Sequence, residues 1–284
     1  MNLTKIKTQA EEVSAGERFP FGENWTSFLR VLDEAKIAEA IDSLKQMLEI
    51  DSLEGMSFLD VGSGSGLFSL AARRLGASVF SFDYDSQSVA CTRELKRRYF
   101  EADIDWQVET GSVLDNIFLN SLGKFDIVYS WGVLHHTGSM WQALANIDTR
   151  VATDGKLLVA LYNYQPFASK YWYFVKKIYN KFWLSRPFFV IIHTIYPLIP
   201  SILLRFVQNR VSPRGMNVWY DLIDWLGGYP FEVSKPENIL DFYRKRGYQV
   251  QVLRTVGGRS GCNEFVFQRN ASKTTEIPSI KSTI

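Results

Sequence analysis

The sequence predicts an α/β protein built on a doubly wound, mostly parallel sheet, and three observations carry that prediction. Phe58-Leu59-Asp60-Val61 leads into Gly62-Ser63-Gly64-Ser65-Gly66, an apolar strand feeding a glycine-rich turn. An apolar helical pattern follows (Leu67, Phe68, Leu70, Ala71, Leu75), then a short strand from Ser78 to Phe82 that ends in Asp83. Beyond it, strand-like and helix-like segments keep alternating, which argues for a parallel sheet with helices on both faces.

Taken in order, strands are expected at 57–61, 78–82, 104–109, 125–130 and 156–162, with helices at 66–75, 86–99 and 139–151. Residues 1–20 read as a polar, loosely ordered leader. From Trp25 to Ile50 a helical pattern runs through Phe28, Leu32, Ile37, Ile41, Leu44 and Leu48, suited to a lid over a cleft. Ser234 is placed to cap a helix from Pro236 to about Lys245. Tyr248–Val256 and Asn263–Gln268 read as strands joined through Gly257-Gly258-Arg259-Ser260-Gly261. The expected organisation is a helical lid region at 1–54, an α/β domain from 55–162 and 232–269, a helical insertion at 163–231, and a disordered tail at 270–284.

The 284 residues suffice for a large core, and a net charge of +2 is too small to argue for nucleic acid. Two cysteines, Cys91 and Cys262, form no C-x-x-C pair, so neither a disulfide framework nor a metal site is expected. Without a signal-peptide pattern near Met1, a cytoplasmic protein is expected.

Glycine spacing separates the candidate cofactors. A dinucleotide turn needs glycine at 62, 64 and 67, but position 67 is Leu; a phosphate loop needs Gly-Lys-Ser/Thr, and none follows. The acid-x-Gly-x-Gly-x-Gly run from Asp60 to Gly66 instead resembles motif I of the class I methyltransferases that use S-adenosylmethionine. Asp83 after the second strand, Gly111–Asp115 after the third, and Phe125–Ser130 as the fourth strand extend the resemblance in order. It is best for the small-molecule enzymes of quinone biosynthesis and cell-envelope glycan pathways. The resemblance implies a Rossmann-like, seven-stranded sheet whose last strand is antiparallel, with S-adenosyl-L-methionine as cofactor. It further implies Gly62, Ser63, Gly64 and Gly66 under the donor's methionine and ribose, and Asp60 near its amino group. Asp83 would take the ribose hydroxyls, Tyr84 would pack beside the adenine, Ser112 and Val113 would read its edge, and Ser130 completes the cofactor set.

Methyl transfer from a sulfonium is an in-line displacement, and a hydroxyl acceptor must also lose its proton. Ligands of open α/β sheets sit at the carboxyl ends of strands, where Ser130-Trp131-Gly132-Val133-Leu134-His135-His136 follows the fourth strand. His136, or else His135, is a candidate general base; the alternatives are that the pair merely frames the donor or that it ligates a metal. Trp131, Tyr162, Asn163, Asp221, Trp225 and Glu264 are candidates for the acceptor side. Asp221 and Asp224 share a helical face, and Glu264 is expected either to meet Arg254 or Arg259 or to point into the site. The Asn/Asp-Pro-Pro-Tyr motif of base methylation is missing, so no nucleic-acid partner is expected.

The insertion departs from a minimal methyltransferase. Gly155 to Tyr220 holds nine Lys or Arg and no Asp or Glu, amid dense aromatics. Helical spacing gathers Lys170, Lys177 and Lys181 on one side and Trp172, Val175, Tyr179 and Phe182 on another. Three readings stand: a cap over the acceptor pocket, a peripheral contact with an anionic membrane at its inner face, or an anionic soluble partner. His193, Pro197, Pro200 and Arg205 interrupt the apolar run at 188–207, which argues against a membrane span. The expected activity is O-methylation of a small or lipid-linked hydroxyl compound, with an N-acceptor or non-catalytic donor binding as alternatives.

Overall fold

A computed structural model describes residues 8–193, 218–257 and 259–270. Seven strands form one sheet: β1 (Ser57–Val61), β2 (Ser78–Asp83), β3 (Trp106–Thr110), β4 (Phe125–Trp131), β5 (Val151–Tyr162), β6 (Tyr248–Arg254) and β7 (Cys262–Arg269). Their order is β3-β2-β1-β4-β5-β7-β6. The first five run parallel and β7 inserts antiparallel between β5 and β6. The order reverses between β1 and β4, which opens a crevice at their carboxyl ends.

Period-two alternation sends successive side chains of each strand to opposite faces. In β1, Phe58 joins the core packed under α3 (Glu34–Leu48), α4 (Leu67–Arg74) and α5 (Ser86–Phe100). Its neighbours Leu59 and Val61 join the opposite core, under α6 (Asn116–Ser121), α7 (Met140–Asp148) and α10 (Pro236–Arg244). Both faces are thus covered, and the near-continuous apolar strands follow from that.

The N-terminal third differs from expectation in two ways. Residues 9–14 form a short helix, α1, closed by a capping box between Thr8 and Glu11, where a loose leader was expected. The pattern over 25–50 is two helices, α2 (Phe21–Phe28) and α3, with Asp33 capping the second. Only α2 lies over the cleft; Ile37, Ala40, Leu44 and Leu48 of α3 are buried in the sheet's helical layer. Apolar periodicity detects burial, but it cannot tell a lid from a layer.

The insertion contributes α8 (Ala168–Lys181), helical residues 186–193 and α9 (Val218–Gly227). Val175 and Tyr179 of α8 pack with Phe19 and Leu226 in a third core, whereas Phe182 is exposed rather than on the packed side. Ser234 does not cap α10, whose N-cap is Lys235; its backbone instead pairs with Tyr162 and Tyr164. Among the described residues no helix is long and apolar enough to cross a membrane. Most of the expected tail at 270–284 and the run at 194–207 lie outside the described residues.

Candidate active site

The crevice at the switch point is a cleft of about 1170 Å³. One end is built by the turn after β1, where Gly62, Gly64 and Gly66 all hold positive φ (81°, 55° and 82°). That is the left-handed region in which a Cβ is strained. Space forbids one too: at Gly62 it would stand 2.4 Å from the Val133 side chain, and at Gly64 2.9 Å from the Trp25 indole nitrogen. Asp83 clamps the turn, its Oδ2 accepting the Gly64 N–H at 2.9 Å while Oδ1 accepts the Asp85 N–H at 2.9 Å.

Asp60 is buried on the same wall and is held from behind by a relay through the core. The Trp106 indole N–H donates to Ser81 Oγ (2.9 Å), Ser81 and Ser69 share a hydroxyl bond (2.7 Å), and Ser69 donates to Asp60 at 2.5 Å. Burial, with the Asp83 charge adding to it, pushes the Asp60 carboxyl up to about 7. Asp83 is raised to about 6, again chiefly by burial. Burial raises both acids, with the Asp83 charge adding to Asp60 and the Asp85 charge to Asp83, so the wall is a seat for a cation, since a positive ligand relieves these penalties.

Tyr84, Gly111, Ser112, Val113 and Leu114 continue this end. Ser112 Oγ accepts the Leu114 N–H, and Asn146 donates to the Val113 carbonyl at 2.8 Å, so the loop is fixed before any ligand arrives. Overhead, Arg18 donates to the His136 carbonyl (2.8 Å), pairs with Glu12 (2.5 Å) and lies 5.1 Å over the Tyr84 ring. One guanidinium thereby straps the N-terminal segment across both ends of the cleft.

The other end is aromatic. Phe21, Trp131, His136, Tyr162, Trp225 and Cys262 line it. His136 Nδ1 lies 2.7 Å from the Pro230 carbonyl, which can only accept, so Nδ1 carries the proton and Nε2 keeps its lone pair. Burial, reinforced by the charge of Lys176, pulls the His136 pKa down to about 3, so the ring is neutral at physiological pH. His135 lies outside the cleft lining and stacks on Tyr162 at 3.8 Å. Its Nδ1 accepts the Tyr162 N–H (3.3 Å), and its buried Nε2 has no hydrogen-bond partner among the described residues.

Several sequence candidates lie behind the wall. Ser130 is fully buried and donates to the Val61 carbonyl at 3.0 Å, tying β4 to β1. Gly66 is the left-handed N-cap of α4, against Thr92. Asn163 bonds Asn263 and the Arg259 carbonyl. Glu264 accepts the Trp131 indole N–H at 2.9 Å and stands 4.0 Å from Arg254, so it orients a wall residue. Asp221 and Asp224 fall on α9, and their side chains lie outside the described set. No cluster able to hold a metal ion occurs among the described residues.

Two further residues carry no sequence signal. Lys176 is fully buried in α8, its ammonium 4.9 Å from the Trp225 ring, 5.1 Å from Phe231 and 5.5 Å from Tyr162. It donates to the Trp225 carbonyl, and Asn180 one turn on donates to the Gly227 carbonyl at 2.6 Å, so α8 caps the end of α9. Glu232 accepts the Met140 N–H at 2.9 Å, and its own N–H donates to the His135 carbonyl, pinning the histidine loop. In sequence each is one charge among many; only long-range packing gives it a task.

The cationic donor fits these residues: Gly62, Ser63, Gly64, Asp60, Asp83, Tyr84, Ser112 and Val113 would hold it, and it supplies an electrophilic methyl group. A cleft that keeps one end for a cationic nucleoside and the other for a second reactant marks a class I methyltransferase dependent on S-adenosylmethionine. The sequence profile of the methyltransferase-domain family matches residues 32–193, and the chain belongs to that family.

Curated relatives include the ubiquinone biosynthesis O-methyltransferases of Brucella ovis (29% identical over 111 residues) and Paramagnetospirillum magneticum (32% over 110). Each match covers 39% of this chain and 43% or 42% of the relative. Ribosomal protein L11 methyltransferase of Helicobacter hepaticus is 25% identical over 158 residues, 55% of this chain and 44% of that protein. The matches thus span less than half the length of these relatives. Among solved structures, an O-methyltransferase family protein from Burkholderia thailandensis shares the fold. Its TM-score is 0.50 at 13% identity, covering 82% of this chain and 58% of that one.

Proposed function

We propose that the protein transfers the methyl group of S-adenosylmethionine to a hydroxyl oxygen of a small or lipid-linked compound. One observation carries the reading: a neutral His136 offers the Nε2 lone pair at the aromatic end of the donor cleft. A hydroxyl donates to that lone pair, which directs an oxygen lone pair toward the methyl group. As the O–C bond forms and the C–S bond breaks, the hydroxyl proton passes to Nε2. A pKa pulled to about 3 makes His136 a poor proton store, so orienting the hydroxyl is its larger contribution. Trp131, Tyr162 and Trp225 supply flat apolar walls suited to an unsaturated ring. The relatives named for ubiquinone biosynthesis O-methylation support an oxygen acceptor.

Label transfer from methyl-labelled donor to a panel of hydroxylated aromatic compounds, with and without isoprenoid tails, tests the reading. Labelled methyl ethers are expected. Labelled amines with no ether would move the assignment to an N-acceptor. Tight donor binding without transfer to any acceptor would favour a non-catalytic binder.

A further inference from the structure

We propose that the outward face of α8, continued through residue 192, docks on an anionic membrane surface. The inward face of this helix is accounted for: Val175, Lys176, Tyr179 and Asn180 are buried against α9 and the N-terminal strap. Its outward face repeats apolar residues at 167, 171, 174, 178 and 182, spacings of four, three, four and four that fall on one stripe. Every member is exposed, from Phe167 at 89% and Phe174 at 63% to Ile178 at 37%. Trp183, Leu184, Phe188 and Ile191 extend the exposed apolar surface beyond the helix end. A soluble monomer seldom shows a patch this continuous without a partner.

Charge selects the partner. Lys170, Lys177 and Lys181 flank the stripe at helical spacing, and Arg186 follows. The Lys177 ammonium lies over the Tyr173 ring and the Lys181 ammonium over the Phe182 ring, each at 5.7 Å, so the cationic heads stand beside the exposed aromatic side chains. From Gly155 to His193 the chain carries no acidic residue. Aromatic and aliphatic side chains rimmed by lysines suit the boundary between anionic headgroups and acyl chains. A second copy is disfavoured, because a two-fold contact on this stripe would set like-charged lysine rows against each other. The Tyr171 hydroxyl bonds His193 Nε2 at 2.9 Å, holding the following helical segment to α8, so the face acts as one unit.

The position has a consequence that rests on the acceptor reading above. Trp225, a wall of the acceptor end, packs against Trp172 at 5.2 Å and against Lys176 on the inner face of α8. A bilayer on the outer face would lie one helix thickness from the acceptor wall, so an acceptor with a lipid tail would enter from the membrane.

Flotation of the full chain with vesicles of phosphatidylcholine, alone or mixed with phosphatidylglycerol, tests the proposal. The protein should float with the mixed vesicles and be released by salt. Each lysine near an anionic surface contributes about fivefold in partitioning, so Lys170→Gln/Lys177→Gln/Lys181→Gln should lose about a hundredfold. Phe174→Ser/Phe182→Ser should float poorly on both vesicle types. Failure of the parent protein to float, or equal flotation of the variants, overturns the proposal. So does concentration-dependent dimerisation, seen by sedimentation, that the Phe174→Ser/Phe182→Ser variant abolishes. Calorimetric donor binding, run in parallel, should be unchanged in both variants. Its absence from the parent protein would sink the methyltransferase reading instead, whatever the vesicles show.

Discussion

Acidification should weaken S-adenosylmethionine binding far more than the ordinary carboxylate range would suggest. In the proposed seating the donor would carry its positive charge to a wall that holds Asp60 and Asp83, raised to about 7 and about 6 chiefly by burial. Both acids are ionised above these values and neutral below them, so a cation binds the high-pH form. From about pH 8 to about pH 5.5 the doubly ionised population falls roughly a hundredfold, and Kd should rise by that factor. At pH 6 binding should release about one to two protons, readable by titration calorimetry in buffers of different ionisation enthalpy. Asp60→Asn keeps the shape and the Ser69 contact but removes the first step, leaving a rise of about fourfold. A Kd that stays constant over this range, or an Asp60→Asn variant that keeps the full slope, would refute the seating of the cation.

The sign for stability runs the other way. A raised folded-state pKa stabilises most below the unfolded value, and that contribution is lost as pH climbs through about 6 to 7. Without donor, the melting temperature should therefore fall from mildly acid to alkaline pH, and Asp60→Asn should blunt the fall.

Four other outcomes are expected. Once an acceptor is identified, His136→Ala should lower kcat about a hundredfold while donor Kd stays within about twofold, measured by steady-state kinetics and calorimetry. Gly62→Ala sets a Cβ 2.4 Å from Val133 at φ 81°; loss of about 1–3 kcal/mol in denaturant melts and at least tenfold weaker donor binding should follow. Lys176→Met removes a charge that depresses His136, so the imidazole resonance should titrate at a higher pH than in the parent protein, read by NMR. Arg269→Ala leaves buried Asp148 with Arg246 at 3.6 Å and the Tyr248 hydroxyl; it should cost about 3 kcal/mol in urea melts without touching donor affinity.

The glycine turn and its flanking acids were legible because their signal is local. Positive φ, the strand before and the helix after all lie within one βαβ unit, so residue type alone constrains them. The C-terminal pair β6 and β7 was legible for a similar reason, two alternating runs about a glycine-rich link. Helix α6, a single turn and a half capped by Asp115, was not, since six residues show little periodicity. Glu264 stood open between an arginine and the site, and Asn163 was a candidate acceptor contact, because both lie at strand ends; that Glu264 meets Trp131 and Arg254 and Asn163 meets Asn263 depends on the register of β7 with β5 and β6, which no single strand encodes.

By itself, then, the sequence determined the class of fold, the glycine turn at one end of the cleft, and the acid-free stretch from Gly155 to Tyr220. These follow from backbone stereochemistry and from composition, which act over a few residues. Tertiary structure alone decided that Arg18 straps the cleft, that Trp106 reaches Asp60 through two serines, that Lys176 is buried among three rings, and which histidine lines the cleft. Each of these joins residues far apart in the chain, and the partner of a lone charge or hydroxyl is set only when the layers pack.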